Sequence, residues 1–306
     1  DKRAGKSSEA TAPVPAARDA GGKPTLAELI ERAGNHDENA IDQLLAGGSE
    51  AAKAVVAALP GPLRSRERQA LGDPVGGPVY SRGPLLALAL RMGQLAIEPM
   101  LARLADPSTP SEARYYLTLC FAEAPVAAAI APLAGCLYDS DDAVRMAAVS
   151  ALRSFPPSSE LSSLISKLRD TMDAADAKRA RFAVEALGEL RVATAAPQLI
   201  NLLDHEDSAL VDAVGRALQT ITKQDFGRSR SRWTSWWRRR QDEPRLQWLL
   251  EGLTHPSAML RSAAQDELTG LSGDVVGYRF DQPRRDREQA RKRWAQWWQR
   301  RGYPVL

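Results

Sequence analysis

Two stretches of the chain, LLDHEDSALVDAVGRALQTIT (residues 202–222) and GLTHPSAMLRSAAQDELTGLS (residues 252–272), repeat one pattern at a constant offset of 50 residues. The apolar positions recur at helical spacing, and the turn before them carries a histidine in both copies. A repeated unit of this kind predicts an array of helical hairpins. The matched positions are Leu203 with Leu253, His205 with His255, Leu210 with Leu260, Ala213 with Ala263, Leu218 with Leu268 and Ile221 with Leu271.

Shorter forms of the same unit stand earlier in the chain. LYDSDDAVRMAAVSALRSF, from Leu137, has an acidic turn and then apolar residues at helical spacing, and AKRARFAVEALGEL, from Ala177, repeats the second helix. EARYYLTLCFAEA, from Glu112, is an earlier helix of the same kind. Each unit is therefore predicted to be an apolar helix, a short turn and a second helix with a polar cap. Ala-Leu pairs at 151–152, 186–187 and 217–218 mark the second helices.

The pattern resembles HEAT-type repeats, particularly the short bacterial form that also occurs in phycobilin-lyase-like proteins. The resemblance is carried by the acidic turn at 139–142, by the AxxAL-type helices and by the pairs Val144-Arg145 and Leu260-Arg261. It covers about residues 84–302 and implies an all-α, HEAT-like helical-hairpin solenoid, an α–α superhelix. Such repeats serve as scaffolds, as adaptors and in a few enzymes, so the resemblance specifies little chemistry. Val211 stands where the other units have Arg145 and Arg261. A ladder of Asp–Arg ion pairs through the stack is therefore predicted to be broken at Val211.

All seven tryptophans lie after residue 230, and six of them form two Trp-x-x-Trp-Trp clusters followed by arginines. The i, i+3, i+4 spacing places each cluster on one helical face. We interpret them as structural wedges that cover the core of the array, the second as a terminal cap. A similar tail, with Leu-Thr-Gly (here 268–270) before the cluster, occurs in bacterial HEAT-repeat proteins of unassigned function. The wedge residues are Trp233, Trp236, Trp237, Trp294, Trp297 and Trp298.

An alternative for the same segment is nucleic-acid binding, in which the tryptophans stack on bases and the arginines meet phosphates. Residues 218–306 hold 18 Lys and Arg against 10 Asp and Glu, whereas the remainder is acidic. A balance of +8 is modest for a nucleic-acid binder, and stacking residues are usually spread along a groove. The wedge interpretation is therefore preferred.

The predicted organisation has four further parts. Residues 1–24, rich in Ala, Pro, Gly and charge, are expected to be a flexible tether, and residues 25–60 a cap of two helices. A Gly/Pro-rich basic loop at 61–84 contains Arg64, Arg66 and Arg68, which could clasp an acidic partner. The solenoid occupies 85–306, with a Trp-bearing insert at 223–243 and a C-terminal cap at 273–306.

Residues that carry catalysis are not apparent in the sequence. The three histidines lack the paired ligands of a metal site, and neither a phosphate-binding glycine loop nor a GxSxG motif is present. The acidic turns suit helix capping, and Cys120 and Cys136 suit a buried core. No run approaches the ~18 apolar residues of a membrane span. We therefore expect no metal, no cofactor, no membrane span and no enzyme activity.

The function predicted from these features is a non-catalytic scaffold or adaptor that binds another protein in a bacterial multiprotein assembly, either cytoplasmic or periplasmic. The runner-up is a nucleic-acid-binding HEAT-like protein, and the third is a phycobilin-lyase-like or glycosylase-like enzyme. Second helices usually line the concave side of a solenoid, so the partner is expected there. The charged positions favoured for binding are Arg181, Glu185 and Arg216, with Arg64, Arg66 and Arg68 of the long loop as the alternative.

Overall fold

The computed structural model of the protein describes residues 23–63 and 77–301, and it is all-α over that part of the chain. Sixteen α-helices and several short 3₁₀ turns make up the described secondary structure, apart from an isolated bridge residue at Pro24. The predicted all-α class is confirmed. Residues 1–22 of the tether predicted for 1–24, and the arginines at 64, 66 and 68, lie outside the described residues. The chain forms two compact units, residues 1–124 and 125–306.

Residues 25–60 of the first unit form three helices. Two helices were predicted for this segment, so that prediction was wrong. The additional helix is short, and Asp37 caps it by accepting hydrogen bonds from the backbone N–H groups of Asn39 and Ala40. It buries Ala40, Ile41 and Leu44, apolar positions at helical spacing that the sequence analysis did not assign to a helix. The helices of this unit are α1 (Leu26–Gly34), α2 (Glu38–Ala46), α3 (Gly48–Ala58), α4 (Pro84–Met92), α5 (Gln94–Ala105) and α6 (Ser111–Glu123).

The second unit is built from four consecutive helical hairpins and two further helices, one after the third hairpin and one after the fourth. The hairpins are α7 (Ile130–Cys136) with α8 (Asp142–Ser154), α9 (Ser159–Met172) with α10 (Ala177–Glu189), α11 (Ala196–Asn201) with α12 (Ser208–Thr222), and α14 (Arg245–Gly252) with α15 (Ala258–Ser272). The further helices are α13 (Arg230–Arg240) and α16 (Arg284–Arg301), and they carry the two tryptophan clusters.

The turns that begin the second helices are fixed by short-range hydrogen bonds. Asp141, Asp176 and Asp207 cap α8, α10 and α12 by accepting backbone N–H groups of the first turn. The repeated histidines share a second role: Nδ1 of His205 accepts from Asp207 N at 3.0 Å, and Nδ1 of His255 accepts from Ser257 N at 3.1 Å. Polar residues that the sequence places in turns are therefore local caps.

Small residues allow α10 and α12 to pack closely. The Ala-Leu pairs that mark the second helices are all buried. Gly188 of α10 lies against Ala217 of α12, where a Cβ on Gly188 would come within 2.7 Å of the Ala217 Cα. Such an approach leaves no room for even one methyl group, so the spacing of these two helices depends on Gly188.

Gly188→Ala is expected to destabilise the protein by roughly 1–3 kcal/mol, because the added methyl group meets backbone that cannot rotate away. Gly215→Ala is the matched control on α12, since an added Cβ there has no atom within 4 Å. That control should stabilise by about 0.5–1 kcal/mol through helix propensity. Urea unfolding of both variants measures the difference. Equal effects of the two substitutions would contradict the close packing.

Two other expectations can be compared with the described helices. Cys120 and Cys136 are both buried, and burial raises the pKa of the Cys120 thiol to about 12. Among the described residues, no single helix is long and apolar enough to cross a membrane. Helices α4 and α5 would pass that test only as a pair, and the chain bends by 118° between them.

Candidate functional site

A concave groove of about 680 Å³ runs along the second helices of the second unit. Residues of α8, α10, α12 and α15 line it, as does the segment just after α10. Met146 and Met259 contribute apolar side chains that are 56% and 69% exposed. Buried small residues of α10 and α12, such as Ala186 and Ala213, lie beneath them. The groove therefore combines an accessible apolar surface with charged side chains.

A ladder of Asp–Arg pairs through the stack is the structural role expected for Arg145 and Arg261; in the structure Arg145 pairs with Asp142 of its own helix. Nη1 of Arg145 donates to the carbonyl oxygen of Asp139 at 2.7 Å, and the guanidinium lies 4.2 Å from the centroid of the Phe182 ring. Nη1 of Arg261 donates to the carbonyl oxygens of the turn before its own helix, at His255 and Pro256. Each arginine thus secures the turn of its own hairpin.

The three charged residues favoured for binding form one network. Oε1 of Glu185 lies 3.9 Å from Nε of Arg181 and 3.5 Å from Nη2 of Arg216. Glu185 and Arg216 line the groove, whereas Arg181 does not. These residues therefore have the structural partners that sequence reasoning did not foresee. Their part in partner binding stays a prediction, and the alternative docking arginines of the long loop lie outside the described residues.

A buried ionic cluster at one part of the groove was not anticipated from the sequence. The Glu267 side chain is 2% exposed, and its carboxylate meets three cations that come from three different hairpins. Oε2 of Glu267 lies 3.0 Å from Nζ of Lys223 and 3.3 Å from Nε of Arg191, and Oε1 accepts from Nε of Arg245 at 2.9 Å. We call Arg191, Lys223, Arg245 and Glu267 the Glu267 cluster. It ties the last three hairpins together.

Lys223 occupies a backbone position that the following hairpin gives to glycine. It ends α12 in the left-handed conformation, with φ of 57°. Gly273 ends α15 at the equivalent position 50 residues later, with φ of 70°. A lysine there carries a conformational cost that glycine avoids. Gly227, four residues after Lys223, takes no part in ending α12.

The electrostatics of the cluster favour the charged form of Glu267. Burial alone would raise the pKa of the Glu267 carboxyl, but Arg245, Lys223 and Arg191 outweigh burial and hold that pKa below its ordinary value. Burial also lowers the pKa of the Lys223 ammonium, against the attraction of Glu267. A carboxylate enclosed in this way is a structural ion, because three charged partners hold its oxygens.

Glu267→Gln is expected to destabilise the protein by about 3–5 kcal/mol, since it leaves three cations in a poorly solvated place with no anion among them. The loss should depend on pH. A carboxyl whose folded pKa is lowered contributes stability above its unfolded pKa of about 4.3, and the contribution disappears as the pH falls through the folded value.

The measurement is the difference in unfolding free energy between the wild-type chain and Glu267→Gln, from pH 7 downward. Glu288→Gln, at an exposed glutamate of α16, is the control and should change stability by less than about 0.5 kcal/mol. A Glu267→Gln difference that stays constant into acid would show that shape, not charge, holds the cluster.

The first tryptophan cluster lies between the first helices of the third and fourth hairpins. Helix α13 packs against α11, and Trp233 is fully buried, with its indole Nε1 donating to the carbonyl oxygen of Gly227 at 2.9 Å. Trp236 and Trp237 face Trp248 of α14, with ring centroids 5.6 and 5.8 Å apart. Trp248 is the one tryptophan that the sequence analysis left without a role, and it completes this cluster.

The second cluster covers the last hairpin in an equivalent way. Helix α16 packs against α14, as α13 packs against α11. Trp294 and Trp298 are buried in a core with Leu249 and Leu268, whereas Trp297 is half-buried. Tyr278 donates its hydroxyl to the carbonyl oxygen of Leu253 and joins the same core. Each tryptophan helix therefore packs on the first helix of the hairpin that precedes it.

Trp233→Ala or Trp294→Ala is expected to lower the free energy of unfolding by about 3–5 kcal/mol, the usual range for a buried aromatic side chain. Trp237→Ala and Trp297→Ala are matched controls on the same helices. Their side chains are only half-buried, so each should cost at most about 2 kcal/mol. Chemical denaturation followed by circular dichroism gives the four values. The wedge interpretation fails if the buried positions cost no more than the half-buried ones.

Metal ligands do not assemble in the described part of the chain: no group of three or more His, Cys, Asp and Glu side chains is placed to hold an ion. His205 and His255 are engaged in their turns through Nδ1. Burial lowers the pKa of His255 below its ordinary value.

Comparison with known proteins gives likenesses of fold only. No family model matches the chain, and no curated protein matches it. Among solved structures it is similar to an engineered protein, with 19% identity, a TM-score of 0.36 and coverage of 80% of this chain and 63% of that one. A second engineered protein and a designed armadillo repeat protein each have 17% identity and a TM-score of 0.33, cover 81% of this chain, and are themselves covered to 96% and 100%. The all-α helical-repeat architecture follows from the chain's own helices.

Proposed function

We propose that the chain is a non-catalytic scaffold or adaptor, of the HEAT-repeat kind, that binds a segment of another protein in a bacterial multiprotein assembly. The observation that supports this most is the groove along α8, α10, α12 and α15. Extended surfaces formed by the second helices are where repeat proteins of this architecture bind polypeptides. An accessible apolar surface in such a groove is the kind of patch that marks an interaction site.

The composition of the groove suits a polypeptide better than a small polar substrate. Met146 and Met259 expose most of their side chains, and methionine adapts to varied apolar partners because it is unbranched and polarizable. Charged groove residues such as Glu185 and Arg216 stand beside the apolar ones and can orient a bound chain. The buried carboxylate of Glu267 is held by its cations, so a structural role for it is favoured over acid–base chemistry.

Replacing both exposed methionines, as Met146→Glu with Met259→Glu, is expected to weaken the affinity for the partner at least tenfold. Glutamate side chains must stay solvated where the partner buries apolar surface. Both positions are exposed, so the melting temperature should change by no more than a few degrees. Leu271→Glu is the control: it lies on α15, is also exposed, and does not line the groove.

The measurement is quantitative mass spectrometry of proteins retained from the source cell by the immobilised wild-type chain, by the double variant and by the control. The proposal requires a protein that the wild type and Leu271→Glu retain and the double variant loses. If instead retention survives this change and fails when Arg64, Arg66 and Arg68 are reversed to glutamate, the long loop is the docking element. Retention that depends on neither surface would refute the scaffold function of the groove.

A second candidate, nucleic-acid binding, is favoured by the exposed arginines of α13 and α16, among them Arg238, Arg239, Arg285 and Arg300. Base stacking is not open to the fully buried Trp233 and Trp294, so the arginines would have to carry such binding. Binding of random-sequence DNA that weakens steeply with salt, and that the groove double variant retains, would support this candidate over the scaffold.

A further inference from the structure

The Glu267 cluster holds more positive charge than its one carboxylate neutralises. Three cations surround Glu267, which leaves a surplus of two charges. The helix dipoles also contribute partial charges here. The C-terminal ends of α10 and α12 each carry about half a negative charge, and the N-terminal end of α14 carries about half a positive charge. Arg153 and Glu189 also act on Arg191, with opposite signs. A surplus of between one and two positive charges therefore remains.

The surplus positive charge of the Glu267 cluster can be reached from the groove at Arg191. Arg191 and Lys223 both line the groove, and the Arg191 side chain is 28% exposed whereas that of Lys223 is 3% exposed. Nε of Arg191 is buried against Glu267, so the exposed remainder of the guanidinium is what an anion in the groove can reach. Gln219 and Thr220, on the last turn of α12, line the groove as well. Buried positive charge is costly unless an anion accompanies it, so an anion entering here is stabilised.

The remaining groove charges indicate which anion fits. Four acidic residues, Asp142, Glu185, Glu189 and Asp266, balance the four basic residues of the groove, so the groove as a whole lacks the net positive charge that a polyanion such as a nucleic acid requires. The surplus at Arg191 matches one carboxylate better than a doubly charged phosphate. The apolar side chains of Met146 and Met259 in the same groove suit a polypeptide that presents both kinds of group.

We propose that the part of the groove at Arg191 is a subsite for an aspartate or glutamate side chain of the bound polypeptide, whose apolar neighbours pack against the methionines. The carboxylate accepts hydrogen bonds from the Arg191 guanidinium, with Lys223 supplying charge from behind. This inference rests on the proposed function and adds to it the chemical class of the segment that is recognised.

The test uses the full chain and an array of synthetic twelve-residue peptides built from leucine, methionine and alanine around one central position. That position is glutamate in one set, glutamine in a second and phosphoserine in a third. We expect the wild-type chain to bind the glutamate set about tenfold more tightly than the glutamine set, the ratio that a charge-assisted hydrogen bond gives. Met146→Glu with Met259→Glu should weaken binding of all three sets.

Arg191→Gln should abolish the preference for glutamate over glutamine, and Arg191→Lys should retain part of it. The matched control is Arg179→Gln, which removes the same charge from an exposed residue that does not line the groove, and it should leave the preference intact. Circular dichroism melting checks the fold. Removing one of three cations around a single carboxylate should leave the melting temperature of Arg191→Gln within a few degrees of the wild type.

Four results would overturn the subsite. They are equal binding of the glutamate and glutamine sets, a preference that survives Arg191→Gln, a preference that Arg179→Gln also abolishes, and tighter binding of the phosphoserine set. In each of these, binding that still depends on the methionines leaves the scaffold function standing. Peptide binding that is indifferent to the methionine double variant would count against the groove itself, and no binding of any set would overturn both proposals.

Discussion

Each hairpin of the second unit has an apolar face that it cannot bury alone, and this constraint governs the rest of the structure. Successive hairpins meet through small residues, most tightly where Gly188 lies against Ala217. The array must also end somewhere, and α16 covers the last hairpin with Trp294 and Trp298. Helix α13 covers apolar surface within the array in a similar way, because it packs against α11 and its tryptophans contact Trp248 of α14. Stability in such a stack is the sum of hairpin terms and nearest-neighbour interfaces, so each interface carries weight.

The Glu267 cluster adds a different kind of link to these apolar interfaces. It joins α10, α12 and α14 with α15 through ion pairs that are nearly closed to solvent. Desolvation makes such groups a weak source of net stability, yet they specify geometry because each charge must find its partner. Arg191 and Lys223 of the same cluster line the groove, so the contact that fixes the arrangement of the hairpins also sets the charge at this part of the groove surface.

The sequence predicted the helical repeat well because its information is periodic. Matching apolar positions 50 residues apart located α12 and α15, and turn residues located their caps. The prediction missed α2, although Ala40, Ile41 and Leu44 are buried at helical spacing, because the whole segment between α1 and α3 was assigned to their connection. It also missed the Glu267 cluster, because ion pairs between hairpins depend on distances that no spacing rule supplies. A signal was nevertheless present: Glu267 stands where the other copy has Ala217, and Lys223 where it has Gly273. Departures from a repeat mark its specialised positions, whereas agreement marks its core.

The contrast between Lys223 and Gly273 has a consequence for how the chain reaches its folded state. Hairpins that share a sequence pattern are interchangeable to a first approximation, and repeat proteins are prone to join the wrong neighbours during folding. Only the third hairpin ends in a buried ammonium group, and only the fourth offers a carboxylate to receive it. A misassembled array leaves both ions in an apolar interface without a counter-ion, which is strongly unfavourable. The ion pair of Lys223 and Glu267 thus makes two similar hairpins distinguishable and favours the native order of the hairpins in the array.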